Sequence, residues 1–231
     1  MVKRGWESEL QIWSLHVELS FLDRKQWKLE QVPTSTRNSR RRYSSSSDFY
    51  KFEVEKNIRD FGINFLLQDD NHFSKAIEIC IENYLNSITL SSMKTEKELQ
   101  NIFNTFIKEL LLILHDSTVL KYFNTTKDYL DGKCPDCAFM FKYVNMNIEK
   151  NKKDVCLQDF IIYLGELKGP KVSIETAAAK GQILQYLQIL LELQDRKKSY
   201  GLLANSKYLK FFYVEKKPSS DEYNYYESRT L

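Results

Sequence analysis

Two residues of opposite charge, Glu166 and Lys168, stand two positions apart at the end of the apolar run Phe160-Ile161-Ile162-Tyr163-Leu164, just before Gly169 and Pro170. Alternate side chains of a strand share a face. This spacing therefore sets a carboxylate and an ammonium side by side, with Phe160, Ile162 and Leu164 on their face and Ile161, Tyr163 and Leu167 on the other. Both faces stay apolar until the end of the run, which is the pattern of a central strand. A third charge, Asp136 in Cys-Pro-Asp-Cys, opens a second run over residues 137–144. If the two runs pair antiparallel, the start of one lies beside the end of the other, and Asp136, Glu166 and Lys168 converge. Two carboxylates brought that close repel unless a cation sits between them. A hard divalent ion such as Mg²⁺, held by one or two carboxylates, waters and a substrate phosphate, suits such a pair. A lysine beside it can stabilise developing phosphate charge or lower the pKa of an attacking water.

Other segments must position these groups. Residues 145–154 are polar and lysine-rich, a surface connection that lets runs 137–144 and 157–168 form a hairpin. Residues 173–195 predict a helix with Ser173 as its N-cap. Residues 199–216 predict two short strands around Asn205-Ser206. Upstream, Phe73, Ile77, Ile81 and Leu85 form one helical stripe within 70–88. A second helix over 95–116 would bury Leu99, Ile102, Phe103, Phe106, Leu110 and Ile113, and Thr95 with Glu98 has the spacing of a capping box. The order helix, strand, strand, helix, strand, strand gives a layered domain of α/β or α+β class. The segments are an N-terminal extension (1–32) fitting strand or helix equally, a Ser/Arg-rich linker (33–48), a helical segment (49–94), the main domain (95–216) and a frayed polar tail (217–231).

Composition narrows the classes. In 231 residues, 42% hydrophobic and 13% aromatic content supports a sizeable core, and only 7 Gly and 4 Pro argue against a loop-built chain. The net charge of +3 allows a nucleic-acid partner without demanding one. Lys3, Arg4, Glu7 and Glu9 interrupt any signal peptide, and no run approaches the ~18 apolar residues of a membrane helix. The expectation is an intracellular protein, nuclear or cytoplasmic, with no membrane contact and with Cys80, Cys134, Cys137 and Cys156 as free thiols.

Pro135-Asp136, then Glu166-Leu167-Lys168, then Gln182 and Tyr186 on the following helix, resemble the PD-(D/E)XK nuclease superfamily over residues 95–216. The ending at 200–216 is similar to the closing hairpin of RecB- and Mrr-like members, and the whole is similar to nuclease domains found beside Crinkler-type modules. The resemblance implies a restriction-endonuclease-like core, a mixed sheet flanked by helices, here with a helical N-terminal extension. It implies Mg²⁺- or Mn²⁺-dependent hydrolysis of DNA, with RNA left open. Asp136 and Glu166 would ligate the metal with the main-chain carbonyl of Leu167. Lys168 would activate the hydrolytic water, and Gln182 would reach back to the site or the phosphate backbone. An acid from the first helix is often added, here Glu98, with Glu109 in reserve. Lys168, Lys171, Lys180, Tyr186 and the Arg37–Arg42 linker would contact nucleic acid, with salt-sensitive affinity. The gap between Asp136 and Glu166 is longer than the family's, which an inserted turn at 145–154 absorbs.

Blander roles compete with these. A lone Glu-x-Lys is weak, the capping box explains Glu98 without a metal, Gln182 could be a surface amide, and Tyr186 could be core packing. Cys134 and Cys137 bracket Asp136, but a zinc knuckle needs two further ligands; Cys80 and Cys156 are isolated, and His16, His72 and His115 are scattered. A thioredoxin-like role needs a helix after this Cys-x-x-Cys, where a strand is expected. Gly165-x-x-x-Gly169 lacks the Lys-Ser/Thr of a phosphate loop, and there is no nucleophile elbow. The alternative to a nuclease is a catalytically inactive module of the same fold, binding nucleic acid or, through its N-terminal region, a protein.

Overall fold

A computed structural model describes residues 43–63, 74–90, 95–114, 118–124, 130–142, 158–218 and 220–231. The N-terminal extension, Arg37–Arg42, Phe73, the 145–154 connection, Cys156 and the three histidines lie outside the described residues. A seven-stranded mixed sheet organises the rest. Its strands are β1 (Ile58–Asp60), β2 (Leu120–Asn124), β3 (Cys137–Phe141), β4 (Ile161–Leu167), β5 (Lys198–Ala204), β6 (Leu209–Lys216) and β7 (Tyr223–Glu227), in the order β1-β7-β6-β5-β4-β3-β2. β4 and β5 are parallel, as are β1 and β7, and every other pairing is antiparallel. The helices are α1 (Ser46–Phe49, continued by a wider turn over Tyr50–Val54), α2 (Lys75–Leu90), α3 (Glu96–Ile113) and α4 (Ala177–Gln194). Among the described residues no helix is long and apolar enough to cross a membrane.

Helix α4 is the crossover between parallel β4 and β5, and it covers one face of β4, β5 and β6. An Ala-rich first turn, and Leu and Gln without branching at Cβ, favour the helix. The Thr176 hydroxyl caps it by accepting from the Ala179 amide, and Asp195 ends it in the left-handed region at φ 47°. The cap is therefore Thr176, not Ser173; residues 173–176 instead form the turn that brings the chain off the sheet. Gly181 lets α1 lie against α4, since a Cβ there would meet the Ser46 carbonyl oxygen at 2.0 Å. The second face is covered by α2 and α3, whose Ile81, Tyr84, Phe103, Phe106 and Leu110 pack over Phe139, Tyr163 and Leu167. Ile113, expected inside, is 39% exposed because it lies in the last turn, beyond the sheet.

All seven residues of β4 are buried, as a strand apolar on both faces requires. The expected β3–β4 hairpin forms, with one irregularity: Phe139 pairs with Tyr163 but Met140 pairs with Ile161, leaving Ile162 as a bulge. The bulge reverses the alternation, so Ile161 joins Leu164 under α4 while Ile162 joins Tyr163 and Leu167 under α3. Against strict alternation, only Ile161 and Ile162 are interchanged; Phe160 and Leu164 lie on the face read for them, as do Tyr163 and Leu167 on the other. Two further corrections concern the ends. Residues 46–48, read as the end of the linker, open α1 behind the Ser45 cap. Residues 223–227, read as frayed tail, form β7, which buries Tyr225 and pairs with both β6 and β1.

Candidate functional site

The β3–β4 ladder begins with Cys137 opposite Gly165, and one further step sets Asp136 across from Glu166. Glycine is needed at this pair, because a Cβ on residue 165 would lie 2.4 Å from the Cys137 sulfur. Cys137 and Gly165 face α3, so their neighbours Asp136 and Glu166 face α4. Asp136 stands just outside the ladder, and its Oδ2 accepts from the Leu167 amide at 2.6 Å. Glu166 Oε1 accepts from Lys168 Nζ at 2.7 Å, while Glu166 Oε2 is buried with no hydrogen-bond partner among the described residues. Lys168 Nζ also donates to Gln182 Oε1 at 2.7 Å, and Gln182 Nε2 donates to the Tyr186 hydroxyl at 2.8 Å. One turn of α4 separates Gln182 from Tyr186, so both reach the end of β4 from above.

Electrostatics follow from this crowding. The Glu166 side chain is only 3% exposed. Burial, then the Asp136 charge, push its carboxyl well above the ordinary range, against the opposing pull of Lys168. Burial raises Asp136 as well; the Leu167 amide and Lys168 work the other way, and Glu96 adds to the rise. Burial likewise raises the Tyr186 phenol, helped by the Glu166 charge. Among the described residues, Lys168 is the one cation bonded to this acidic pair, and it engages a single oxygen of it.

Of the residues singled out from sequence, Asp136, Glu166, Leu167, Lys168, Gln182 and Tyr186 come together. Tyr186 is 6% exposed and packs in the α4 core, so its hydroxyl, not its ring face, points into the site's network. Lys171 is exposed on the loop after β4. Lys180 is placed differently: it is buried, bridging Glu175 at 3.0 Å and Glu227 at 2.9 Å. Its ammonium is committed inside the protein, which removes it from the phosphate contacts. Glu98 closes the capping box, its carboxylate accepting from the Thr95 amide at 3.0 Å. Glu109 lies near Cys80, three turns along α3 and away from the site. The acid that α3 supplies is instead Glu96, which accepts from the Gly169 amide at 3.2 Å and whose charge acts on both Asp136 and Glu166. Gln100, one turn on, donates to the Asp136 carbonyl at 3.1 Å. The signal for both was the four-residue spacing of Glu96, Gln100 and Asn104, a polar stripe beside the apolar one.

No group of three His, Cys, Asp or Glu side chains comes together as a metal cluster among the described residues. The donor set is the carboxylates of Asp136 and Glu166, with the main-chain carbonyl of Leu167 as the third oxygen the resemblance implies. This fits Mg²⁺ or Mn²⁺, which keep several waters and take one or two carboxylates plus substrate oxygens, and does not fit zinc. The unsatisfied Glu166 Oε2 is the position such an ion would engage. Comparison of the chain with models of protein families and with curated proteins gives no match.

Proposed function

We propose that the protein is a metal-dependent nuclease with a restriction-endonuclease-like core, hydrolysing phosphodiester bonds of DNA. The observation that carries this reading is the buried Glu166 Oε2, without a hydrogen-bond partner among the described residues, one register step beyond the Cys137–Gly165 pair that adjoins Asp136. Burying two like charges with an unsatisfied oxygen opposes folding, and such sites persist where they serve chemistry. Asp136, Glu166 and the Leu167 carbonyl would hold the ion. When bound, Mg²⁺ or Mn²⁺ would supply Lewis acidity to a phosphate oxygen and acidity to a water.

The chain's own residues do the rest. Lys168 has three N–H donors, two of them given to Glu166 and Gln182, and the third is available to a phosphate oxygen or the attacking water. Gln182 holds the ammonium at the end of β4, and Tyr186 fixes which end of the Gln182 amide faces it. In the reaction, water oxygen bonds to phosphorus, the bond to the leaving sugar oxygen breaks, water loses a proton and the leaving oxygen gains one. Lys171, exposed three residues after Lys168, would contact the nucleic-acid backbone.

The test is incubation of single- and double-stranded DNA, with RNA in parallel, with the purified chain in Mg²⁺ or Mn²⁺. Asp136→Ala and Lys168→Ala are run beside it. Cleavage that requires metal and falls at least ~100-fold in both folded variants is expected. Cleavage surviving both would refute this site. Salt-sensitive binding without turnover would make the protein a binding module of the same architecture.

A further inference from the structure

We infer that Gln100 is a positioning residue for Asp136, acting through the Asp136 main-chain carbonyl; the inference rests on the reading of Asp136 as a cation ligand. Asp136 sits one residue outside the β3 ladder, in a bend before Cys137, where β2 has already ended its pairing at Asn124 opposite Cys137. Strand hydrogen bonds therefore do not set the orientation of its peptide. Two side-chain–main-chain bonds do so instead: Gln100 Nε2 to the Asp136 carbonyl at 3.1 Å, and the Leu167 amide to Asp136 Oδ2 at 2.6 Å. One holds the backbone and the other the carboxylate, and together they leave Asp136 a single aim.

Gln100 is itself held. Its amide nitrogen lies 3.4 Å from Asn104 Oδ1, and the same oxygen accepts from the Tyr122 hydroxyl. Asn104 is 6% exposed on the face of α3 that otherwise buries Leu99, Phe103 and Ile107. A buried amide on an apolar face is unfavourable unless its polar atoms are used. Here it ties Gln100 to β2, the strand that flanks β3. The relay from Tyr122 through Asn104 and Gln100 to Asp136 thus joins an edge strand to the site acid. Partners of this kind, which hold a ligand without touching the ion, alter metal affinity by about 10- to 100-fold when removed.

The experiment titrates Mn²⁺ into the full chain and reads free Mn²⁺ by electron paramagnetic resonance. It compares wild type, Gln100→Met, Asp136→Asn and the double variant, with melting temperature followed in each. Gln100→Met keeps side-chain length and helix preference, and Gln100→Ala replaces it should the Met variant not fold. The expected result is Mn²⁺ affinity about 10-fold weaker in Gln100→Met with the fold intact. In the Asp136→Asn background, the same substitution should have no further effect. Affinity equal to wild type in Gln100→Met, or an equal loss in both backgrounds, overturns the role of Gln100 and leaves the cation site standing. A wild type that binds no Mn²⁺ overturns the cation reading itself.

Discussion

Glu166 and Asp136 face each other in a setting that costs the folded chain stability. A buried polar atom without a partner is worth roughly 1–3 kcal/mol of destabilisation, more when charged, and Glu166 Oε2 is such an atom. Burial raises both carboxyl groups; the Asp136 charge adds to the rise of Glu166, and the Glu96 charge adds to both. Asp136→Asn keeps an oxygen for the Leu167 amide and removes one charge. It should therefore raise the melting temperature of the metal-free chain, by about 2–4 °C for each kcal/mol relieved. The same change should abolish the further rise that Mg²⁺ gives the wild type. Thermal unfolding with and without Mg²⁺ checks both. An Asn variant that is less stable without metal and still gains from Mg²⁺ would contradict the pairing. On the proposed function, this is the usual exchange of stability for function.

At the scale of elements, the close approach of β3 and β4 decides whether the acids meet. Gly165 opposite Cys137 makes that approach, and a Cβ at 2.4 Å from the sulfur forces a shift. Gly165→Ala should cost about 1–3 kcal/mol by overpacking. Most of this should return in Gly165→Ala/Cys137→Ala, where the sulfur is gone; denaturant unfolding of the single and double variants measures it. Equal losses in both would place the strain elsewhere. The hairpin and the convergence of Asp136, Glu166 and Lys168 were legible in the sequence, because residue 160–167 periodicity and the turn signals around 131–135 are local. The bulge at Ile162 was not, since a one-residue slip leaves an all-apolar run looking the same. Glu96 and Gln100 were hidden because a helix read by its apolar stripe draws the eye to Leu99 and Phe103. Glu98, the acid the resemblance implies for this helix, is turned back on its own helix by its capping role.

Across the molecule, a second charged group ties the C-terminal strand to the site's helix. Lys180 and Lys210 are both bridged by Glu175 and Glu227, and Thr230 donates to Glu175. Glu227 belongs to β7, Lys210 to β6 and Lys180 to the first turn of α4, two residues before Gln182. The sequence reading sent Lys180 to phosphate because nothing local reveals that Glu227, 47 residues away, lies against it. Burial alone would raise the Glu175 carboxyl, but bonds from Thr230, Lys210 and Lys180 outweigh it and bring it down from 4.5 to about 2. A depressed acid stabilises the fold above its unfolded value and loses that share as pH falls through its folded value. The stability difference between wild type and Glu175→Gln should therefore be full above pH 4.5 and close as pH approaches about 2. Urea unfolding at stepped pH reads it, and a difference independent of pH would remove Glu175 from the ion network. With α4 tied down at one side and Lys168 held at the other, the proposed site places an ion between Asp136 and Glu166. Anomalous diffraction from crystals of the chain soaked in Mn²⁺ tests this most directly. A peak within roughly 2.0–2.6 Å of a carboxylate oxygen of each acid, lost in Asp136→Asn, is the expected result; Mn²⁺ bound elsewhere, or none at these two residues, would contradict the proposed cation site.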